Sequence, residues 1–100
     1  MDNNDAAKQL EAMGNITRIA IIQLLVKSGG NGINVGKINK VLSIPPSTLS
    51  HHLAKLVNTG LVSQQRKGRE LVCRVEPDAM DGLVMYLADN CCGEDSEIWG

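Results

Sequence analysis

The segment from Ser47 to Val75 constrains the fold of this chain more than any other segment does. It reads STLSHHLAKLVNTGLVSQQRKGRELVCRV. Leucines at steps of three or four give its first half one apolar face, which predicts a helix that Gly60 ends. Two short runs of strand character follow, Leu61–Arg66 and Glu70–Val75, and Lys67-Gly68-Arg69 joins them. A polar-faced helix followed by a short basic β-hairpin is typical of a recognition helix with a wing.

A shorter helix and a proline turn come just before this segment. Residues 35–42 place apolar side chains on one side, which predicts a helix. The residue before a proline avoids the α region, so the turn falls at Ile44-Pro45, and Pro46 suits the first position of the next helix. That next helix turns Leu49, Leu53 and Leu56 inward. Helix, short turn and helix with this polarity form a helix-turn-helix.

The remaining elements complete a small fold. Residues 5–13 carry Ala6, Leu10 and Met13 at helical spacing. Residues 16–27 are apolar nearly all round, so we expect this helix to be central and buried. Glu76-Pro77 opens a last helix. The expected fold is mainly α with a small β-hairpin wing, a winged helix-turn-helix of five helices and two strands. Residues 1–100 form a single domain, in which 93–100 are an acidic tail that we expect to be loose.

Charge is unevenly distributed along the chain. The formal net charge is −1, which by itself argues against a nucleic-acid partner. From Lys27 to Arg74, however, the chain has eight basic residues and one acid, Glu70, a formal charge of +7. From Glu76 onward it has seven acids and no base. Because phosphate binding depends on local potential, a neutral total can hide a basic face. The charge pattern therefore favours double-stranded DNA as the partner.

Two groups of side chains are candidates for DNA contacts. Hydroxyl and imidazole groups on the helix bond phosphates or base edges, and cations on the wing suit phosphates or the minor groove. The candidates are Ser47, Thr48, Ser50, His51, Lys55, Arg66, Lys67 and Arg69. Ordinary surface polarity is the alternative explanation, and we favour it for Lys27 alone. His52 is equally well explained as a packing or capping residue.

Small size favours a dimer and the composition favours a cytoplasmic protein. A domain of 100 residues buries only about 60–65% of its unfolded surface. The apolar stripe of the last helix, with Leu10 of the first, is therefore the expected dimer interface; the stripe residues are Met80, Leu83, Val84 and Leu87. No apolar run approaches the roughly 18 residues that span a bilayer, so no membrane partner is expected. Three cysteines form no disulfide framework, which indicates reduced thiols.

The order and spacing of these motifs resemble the ArsR/SmtB family of bacterial repressors, which are small winged-helix dimers that sense metals, metalloids or other signals. The matching stretches are Gly14-Asn15-Ile16-Thr17-Arg18, Ser47-x-x-Ser50-His51-His52-Leu53-x-x-Leu56, Gly60-Leu61-Val62 and Arg66-x-Gly68-Arg69. The resemblance covers residues 6–92. It implies a homodimeric repressor that binds an operator.

The end of the last helix provides the sharpest hypothesis about the signal. Its sequence up to Cys91-Cys92 resembles that of arsenite-responsive members, whose thiolates lie at this place. Soft thiolates select As(III), Hg(II), Cd(II) or Zn(II) over hard ions. Cys91 and Cys92 are therefore candidate ligands for As(III) as an inducer, and no obligatory cofactor is expected. As(III) prefers three thiolates, but the third cysteine, Cys73, alternates with Leu71 and Val75 and is expected in the core.

Several departures from the family keep other hypotheses open. The metal motif ELCVCDL is absent from the helix at residues 35–42, the last helix has no histidine for a zinc site, and the second helix has no cysteine for a redox switch. Cys91 is alternatively a small interface hydrophobe. The regulator then senses thiol oxidation, another small molecule or nothing. A protein-interaction winged helix is a further alternative. An enzyme is not expected, because no nucleophile–base set or phosphate loop is visible.

Overall fold

The computed structural model describes residues 1–91 as five helices and a small sheet. The helices are α1 (Asn3–Met13), α2 (Ile16–Ser28), α3 (Val35–Leu42), α4 (Pro46–Asn58) and α5 (Pro77–Cys91), and the strands are β1 (Ile33–Asn34), β2 (Val62–Lys67) and β3 (Glu70–Val75). This confirms the expected winged helix-turn-helix. Cys92 and the tail at 93–100 lie outside the described residues. Within residues 1–91, no helix is both long and apolar enough to cross a membrane.

Local side chains fix where the helices begin and how α3 turns into α4. Asn15 Oδ1 accepts hydrogen bonds from two backbone N–H groups in the first turn of α2, and Asn34 Oδ1 accepts one at the start of α3. Such caps satisfy donors that have no partner within the helix. Ser43 ends α3 in the left-handed region, with φ of 52°. The Asn39 amide then donates to the Ile44 carbonyl oxygen across the turn, at 2.8 Å.

The sheet has one strand more than the sequence predicted. Its order is β1–β3–β2, and both pairs are antiparallel. β2 and β3 form the predicted hairpin, and Gly68 takes the expected positive φ, 63°, at its tip. β1 is only two residues long, with Ile33 opposite Cys73, so it carries no alternating pattern that sequence reasoning could detect. β1 covers the edge of β3 and joins the wing to the start of α3.

The core lies between α2, α3, α4 and the sheet. Its most deeply buried side chains are Ile21, Leu25, Ile38, Leu49, Leu53, Leu56, Leu61, Val62 and Cys73. Helix α2 is central, as expected, but it is buried on one face only, and Ile16 on the other face is 86% exposed. In α1 the buried face is Ala6, Gln9 and Ala12, whereas Leu10 is exposed. A single chain has too few elements to enclose both faces of these helices.

Candidate nucleic-acid interface

Helix α4 presents a polar face because its apolar face is anchored in the core. Leu49, Leu53 and Leu56 are fully buried, which fixes the rotation of the helix about its axis. The predicted contact residues Ser47, Thr48, Ser50 and His51 are all exposed, and Lys55 is half-buried. These five side chains lie within the first three turns of one helix. Helix α4 packs on β2, so this polar face and the hairpin belong to one rigid unit.

The hairpin carries cations at its tip and apolar residues at its foot. Arg66, Lys67 and Arg69 are exposed, whereas Val62 and Cys73 are buried. The ion pair found within residues 1–91 joins Arg74 to Glu76, so none of the three tip cations forms an ion pair with an acid of that part of the chain, although Glu70 lies opposite Lys67 in the hairpin. The tip therefore concentrates positive charge at the point of the wing farthest from the core.

The base of the hairpin is joined to the start of α5 through Glu76. Its Oε2 accepts hydrogen bonds from Ser63 Oγ and from Arg74 Nε, both at 3.0 Å. These bonds, first that from Arg74 and then that from Ser63, lower the pKa of Glu76. The Glu76 N–H also donates to the Leu61 carbonyl oxygen, at 2.9 Å. Arg74, one of the eight cations of the basic span, is thus engaged within the protein.

A polar contact that the sequence did not reveal joins α2 to α4. Arg18 is only 8% exposed. Its Nε donates to the Ala12 carbonyl oxygen, and its Nη1 lies 3.0 Å from His52 Nδ1. The pKa of His52 is lowered, first by burial and then by the charges of Arg18, His51 and Lys55. The sequence signal for Arg18 was its place in the stretch Gly14–Arg18, which resembles a family motif. That motif does not indicate which residue Arg18 contacts.

The two cysteines that the structure describes lie in opposite environments. Cys73 is 0% exposed, the Gln64 amide donates to its sulfur at 3.6 Å, and burial raises its pKa. This confirms Cys73 as a core residue. Cys91 is exposed at the end of α5, and its predicted partner Cys92 lies outside the described residues. Within residues 1–91, no three histidine, cysteine or acidic side chains form a group that could hold a metal ion.

The predicted dimer face divides into free and internal residues. Leu10 and Val84 are exposed, Val84 by 61%, and Met80 and Leu87 are half-buried. Leu83 is only 3% exposed in the single chain, so its side chain packs in the protomer's own core and offers almost no free area. Sequence reasoning missed Met85, which is 58% exposed next to Val84. The Tyr86 hydroxyl donates to Asn3 Oδ1 and joins α5 to α1.

Comparisons with known proteins point to one family. Residues 15–64 match the family model described as bacterial regulatory protein, arsR family. The HTH-type transcriptional regulator YgaV of Escherichia coli is 28% identical over 87 residues, which are 87% of this chain and 86% of that protein. The transcriptional repressor PagR of Bacillus anthracis is 29% identical over 87 residues, covering 87% of this chain and 85% of that protein.

Solved structures agree with the sequence comparisons. The crystal structure of PagR has a TM-score of 0.68 at 27% identity and covers 83% of this chain and 93% of that chain. The homodimeric winged helix-turn-helix DNA-binding domain of Mb0332 from Mycobacterium bovis has a TM-score of 0.71 at 27% identity, covering 89% of this chain and 82% of that chain. The part of this chain that the family model matches includes the helix-turn-helix and the start of the wing.

Proposed function

The chain belongs to the ArsR family of bacterial transcriptional regulators, and on this basis we propose that it is a homodimeric repressor of a double-stranded DNA operator. The observation that carries the proposal is the exposed polar face of α4 beside a hairpin whose tip cations have no acid partner within residues 1–91. A buried leucine stripe holds the helix, and the Glu76 contacts hold the base of the hairpin. The surface is thus rigid, basic at one end and rich in hydroxyl groups at the other.

Each part of this surface has a distinct task in the proposed complex. A recognition helix enters the major groove with its N-terminal residues against base edges. Ser47, Ser50 and His51 occupy those positions of α4. Arg66, Lys67 and Arg69 neutralise phosphates and displace condensed counterions. In a dimer, the two copies of α4 read half-sites about 34–36 Å apart, so we expect an operator with two-fold symmetry.

Salt titration tests the task of the wing. Lys67→Ala with Arg69→Ala should make the negative slope of log affinity against log salt shallower, by about 0.9 for each phosphate that the substitutions leave without its cation. Binding should weaken to a similar extent on operator and random DNA, because phosphates carry no sequence information. Lys8→Ala with Lys27→Ala removes the same charge from α1 and the end of α2 and is the control. Equal slopes in the two double variants would contradict the wing assignment.

Sequence preference tests the task of α4. Ser50→Ala or His51→Ala should reduce the preference for operator over random DNA by about 1–3 kcal/mol if the side chain bonds a base edge. The salt slope should stay unchanged in these variants, because neither side chain is a permanent cation. A variant that binds both DNAs more weakly by the same factor would show that the residue contacts only phosphate.

We further propose that As(III), bound by the Cys91 and Cys92 thiolates, releases the dimer from its operator. Support comes from the exposure of Cys91 at the end of the helix whose apolar face is the proposed dimer interface. Soft thiolates suit this metalloid. Cys73 fits poorly as a third ligand, because its sulfur is enclosed in the core. A third thiolate would then come from the partner's copy of the pair.

Serine variants separate this proposal from its alternatives. Cys91→Ser with Cys92→Ser should keep operator affinity and abolish release by As(III), since a neutral hydroxyl is a poor ligand for a soft ion. Cys73→Ser is the control and should still respond. If the wild type ignores As(III) but responds to peroxide, thiol oxidation is the signal, and if it responds to neither, the plain repressor stands. If the wild type shows no salt-dependent binding to DNA, a protein-interaction role replaces all of the repressor hypotheses.

A further inference from the structure

Arg18 is a buried cation with a neutral partner. It has no acid partner within residues 1–91, where the ion pair found is Arg74–Glu76. Its Nε–H donates to the Ala12 carbonyl oxygen near the end of α1, and its Nη1 contacts His52 Nδ1 on α4. Burying a charge without a counter-charge is costly unless its hydrogen bonds are satisfied. Burial of the Arg18 guanidinium therefore costs folding free energy, and its packing contacts alone do not account for a cation at this position.

The chemistry of the two groups fixes the state of His52. A guanidinium has only donors and is always protonated in proteins, so Nδ1 of His52 must accept the hydrogen bond. An imidazole that accepts at Nδ1 is neutral and carries its proton on Nε2. Protonated His52 would place two cations 3.0 Å apart. Burial and the charges of Arg18, His51 and Lys55 lower the pKa of His52 and favour the same neutral form.

The position of His52 on α4 leaves its Nε2–H group available as a hydrogen-bond donor. His52 lies on the flank of the helix, between the buried leucine stripe and the exposed polar face. Thr48 is one turn before it and Lys55 about one turn after it, so all three share a side of the helix. The His52 ring is partly exposed. With Nδ1 occupied, the Nε2–H group is the only remaining polar group of the ring.

We propose that Arg18 is a positioning residue for DNA binding: it holds His52 as the Nε2–H tautomer, so that α4 presents an uncharged hydrogen-bond donor in a fixed orientation to a DNA phosphate. The inference rests on the proposed function and adds a contact to it. A phosphate, rather than a base edge, is the partner because His52 lies on the flank of the helix and phosphates border the groove that the helix enters. A neutral donor displaces no counterion, which distinguishes this contact from those of the wing.

Two substitutions at His52 separate the two nitrogens. In His52→Asn, the amide oxygen lies close to the position of Nδ1 and still accepts from Arg18, but nothing replaces the Nε2–H donor. In His52→Gln, the longer side chain places an amide N–H near the position of Nε2. We expect His52→Asn to weaken operator binding roughly tenfold with no change in salt slope. His52→Gln should bind within about threefold of wild type. Wild-type affinity in His52→Asn would overturn the proposal.

A double-mutant cycle tests the positioning role of Arg18. Arg18→Lys keeps the charge but lacks the fork that reaches both Ala12 and His52. It should weaken binding in the His52 background and have little effect in the His52→Gln background, because a glutamine donor does not depend on a tautomer. Equal reductions of affinity in both backgrounds would show that Arg18 only stabilises the fold and would overturn the proposal.

Nitrogen NMR of the free protein tests the tautomer without DNA. Long-range ¹⁵N–¹H correlation spectra near pH 7 distinguish a protonated Nε2 from a protonated Nδ1. We expect the Nε2–H form in wild type and a mixture of tautomers in Arg18→Lys. An Nδ1–H or doubly protonated ring in wild type would overturn the proposal even if operator binding is normal. If wild type bound no DNA, the proposed function would fail together with the phosphate contact, whereas the tautomer result would stand.

Discussion

Cys73 and Cys91 show how the environment of a residue decides its chemistry. Both are thiols of one small chain, yet Cys73 is enclosed between the sheet and the helices and Cys91 is exposed. The thiolate is the reactive form, and burial raises the pKa of Cys73, so that form is disfavoured in addition to being inaccessible. Any chemistry of soft ions or oxidants in the folded protein therefore starts outside the core.

Alkylation should reveal this difference directly. Iodoacetamide at about pH 8 should modify Cys91 of the native protein within minutes and leave Cys73 unmodified until the chain unfolds. Mass spectrometry of tryptic peptides provides the measurement, and the same reaction in urea is the control, because all thiols are then equivalent. Modification of native Cys73 at the rate seen in urea would contradict its position in the core.

The pKa of His52 links acidity to stability. Because the pKa in the folded protein lies below the ordinary value of about 6.5, the unfolded chain binds the proton more readily. The free energy of unfolding should thus fall as the pH drops below about 6.5, until the folded form is protonated as well. Urea denaturation between about pH 7.5 and 5 measures the slope, and His52→Asn should show a shallower one.

The contribution of Glu76 begins to change at a more acidic pH than that of His52. Its pKa is lowered from the ordinary range of a carboxyl group, so its stabilising contribution is present above that range and disappears at more acidic pH. The effect of His52 begins at about pH 6.5, whereas the decline from Glu76 begins only at the lower pH where an ordinary carboxyl group titrates. If His52→Asn and wild type have the same slope above about pH 5, the neutral form of His52 has no influence on stability.

At the scale of elements, the sequence predicted those elements whose ends and orientation are marked by local residues. Pro45 and Pro46 locate the start of α4, the leucine stripe gives its rotation, and Gly68 marks the hairpin tip. These signals are local, so no partner element is needed to interpret them. The exposed face of α2 and the strand β1 were not predicted, since each depends on what packs beside it rather than on its own pattern.

The candidate site divides in the same way. The exposure of Ser47, Ser50 and His51 followed from helical spacing alone. The contact between Arg18 and His52 joins residues 34 positions apart in the chain, and no periodicity indicates such a pair. For Leu83, helical spacing alone was misleading. Its place on the apolar stripe of α5 predicted a residue of the dimer interface, but the fold of one chain already buries its side chain.

The close approach of the segment before β1 to β3 makes a sharp test of this sheet. A Cβ atom at Gly32 would lie 2.6 Å from the Cys73 carbonyl oxygen, and Gly32 has a φ of +74°. Gly32→Ala should therefore destabilise the protein by about 1–3 kcal/mol, measured by urea denaturation. Gly30→Ala is the control, because a Cβ there meets no atom within 4 Å. Equal stability of the two variants would contradict the position of β1.

For the whole molecule, uncovered apolar surface is the main feature of the isolated chain. Leu10, Val84 and Met85 are exposed on α1 and α5, and Tyr86 and Asn3 hold these two helices together. Large exposed apolar patches on a small protein mark interaction sites. A second copy of the chain that covers these helices would supply the buried area that one small domain lacks.

Val84→Asp should disrupt the proposed dimer. Two carboxylates would face an apolar interface, so the dimer dissociation constant should rise at least about tenfold, as sedimentation velocity at micromolar concentration would show. Operator affinity should fall with it, because two half-sites are read together. Val41→Asp on α3, where the side chain is likewise exposed, is the control for sedimentation. A monomeric wild type at such concentrations would contradict the dimer.

The hydrogen bonds of Glu76 couple the start of α5 to both strands of the hairpin. Glu76 is the last residue before α5, and both strands of the hairpin hold its carboxylate. A tilt of α5 would therefore either break those bonds or move the hairpin together with α4, on which β2 packs. Because Arg66, Lys67 and Arg69 lie at the far end of the hairpin, a small rotation at Glu76 becomes a larger displacement at the tip.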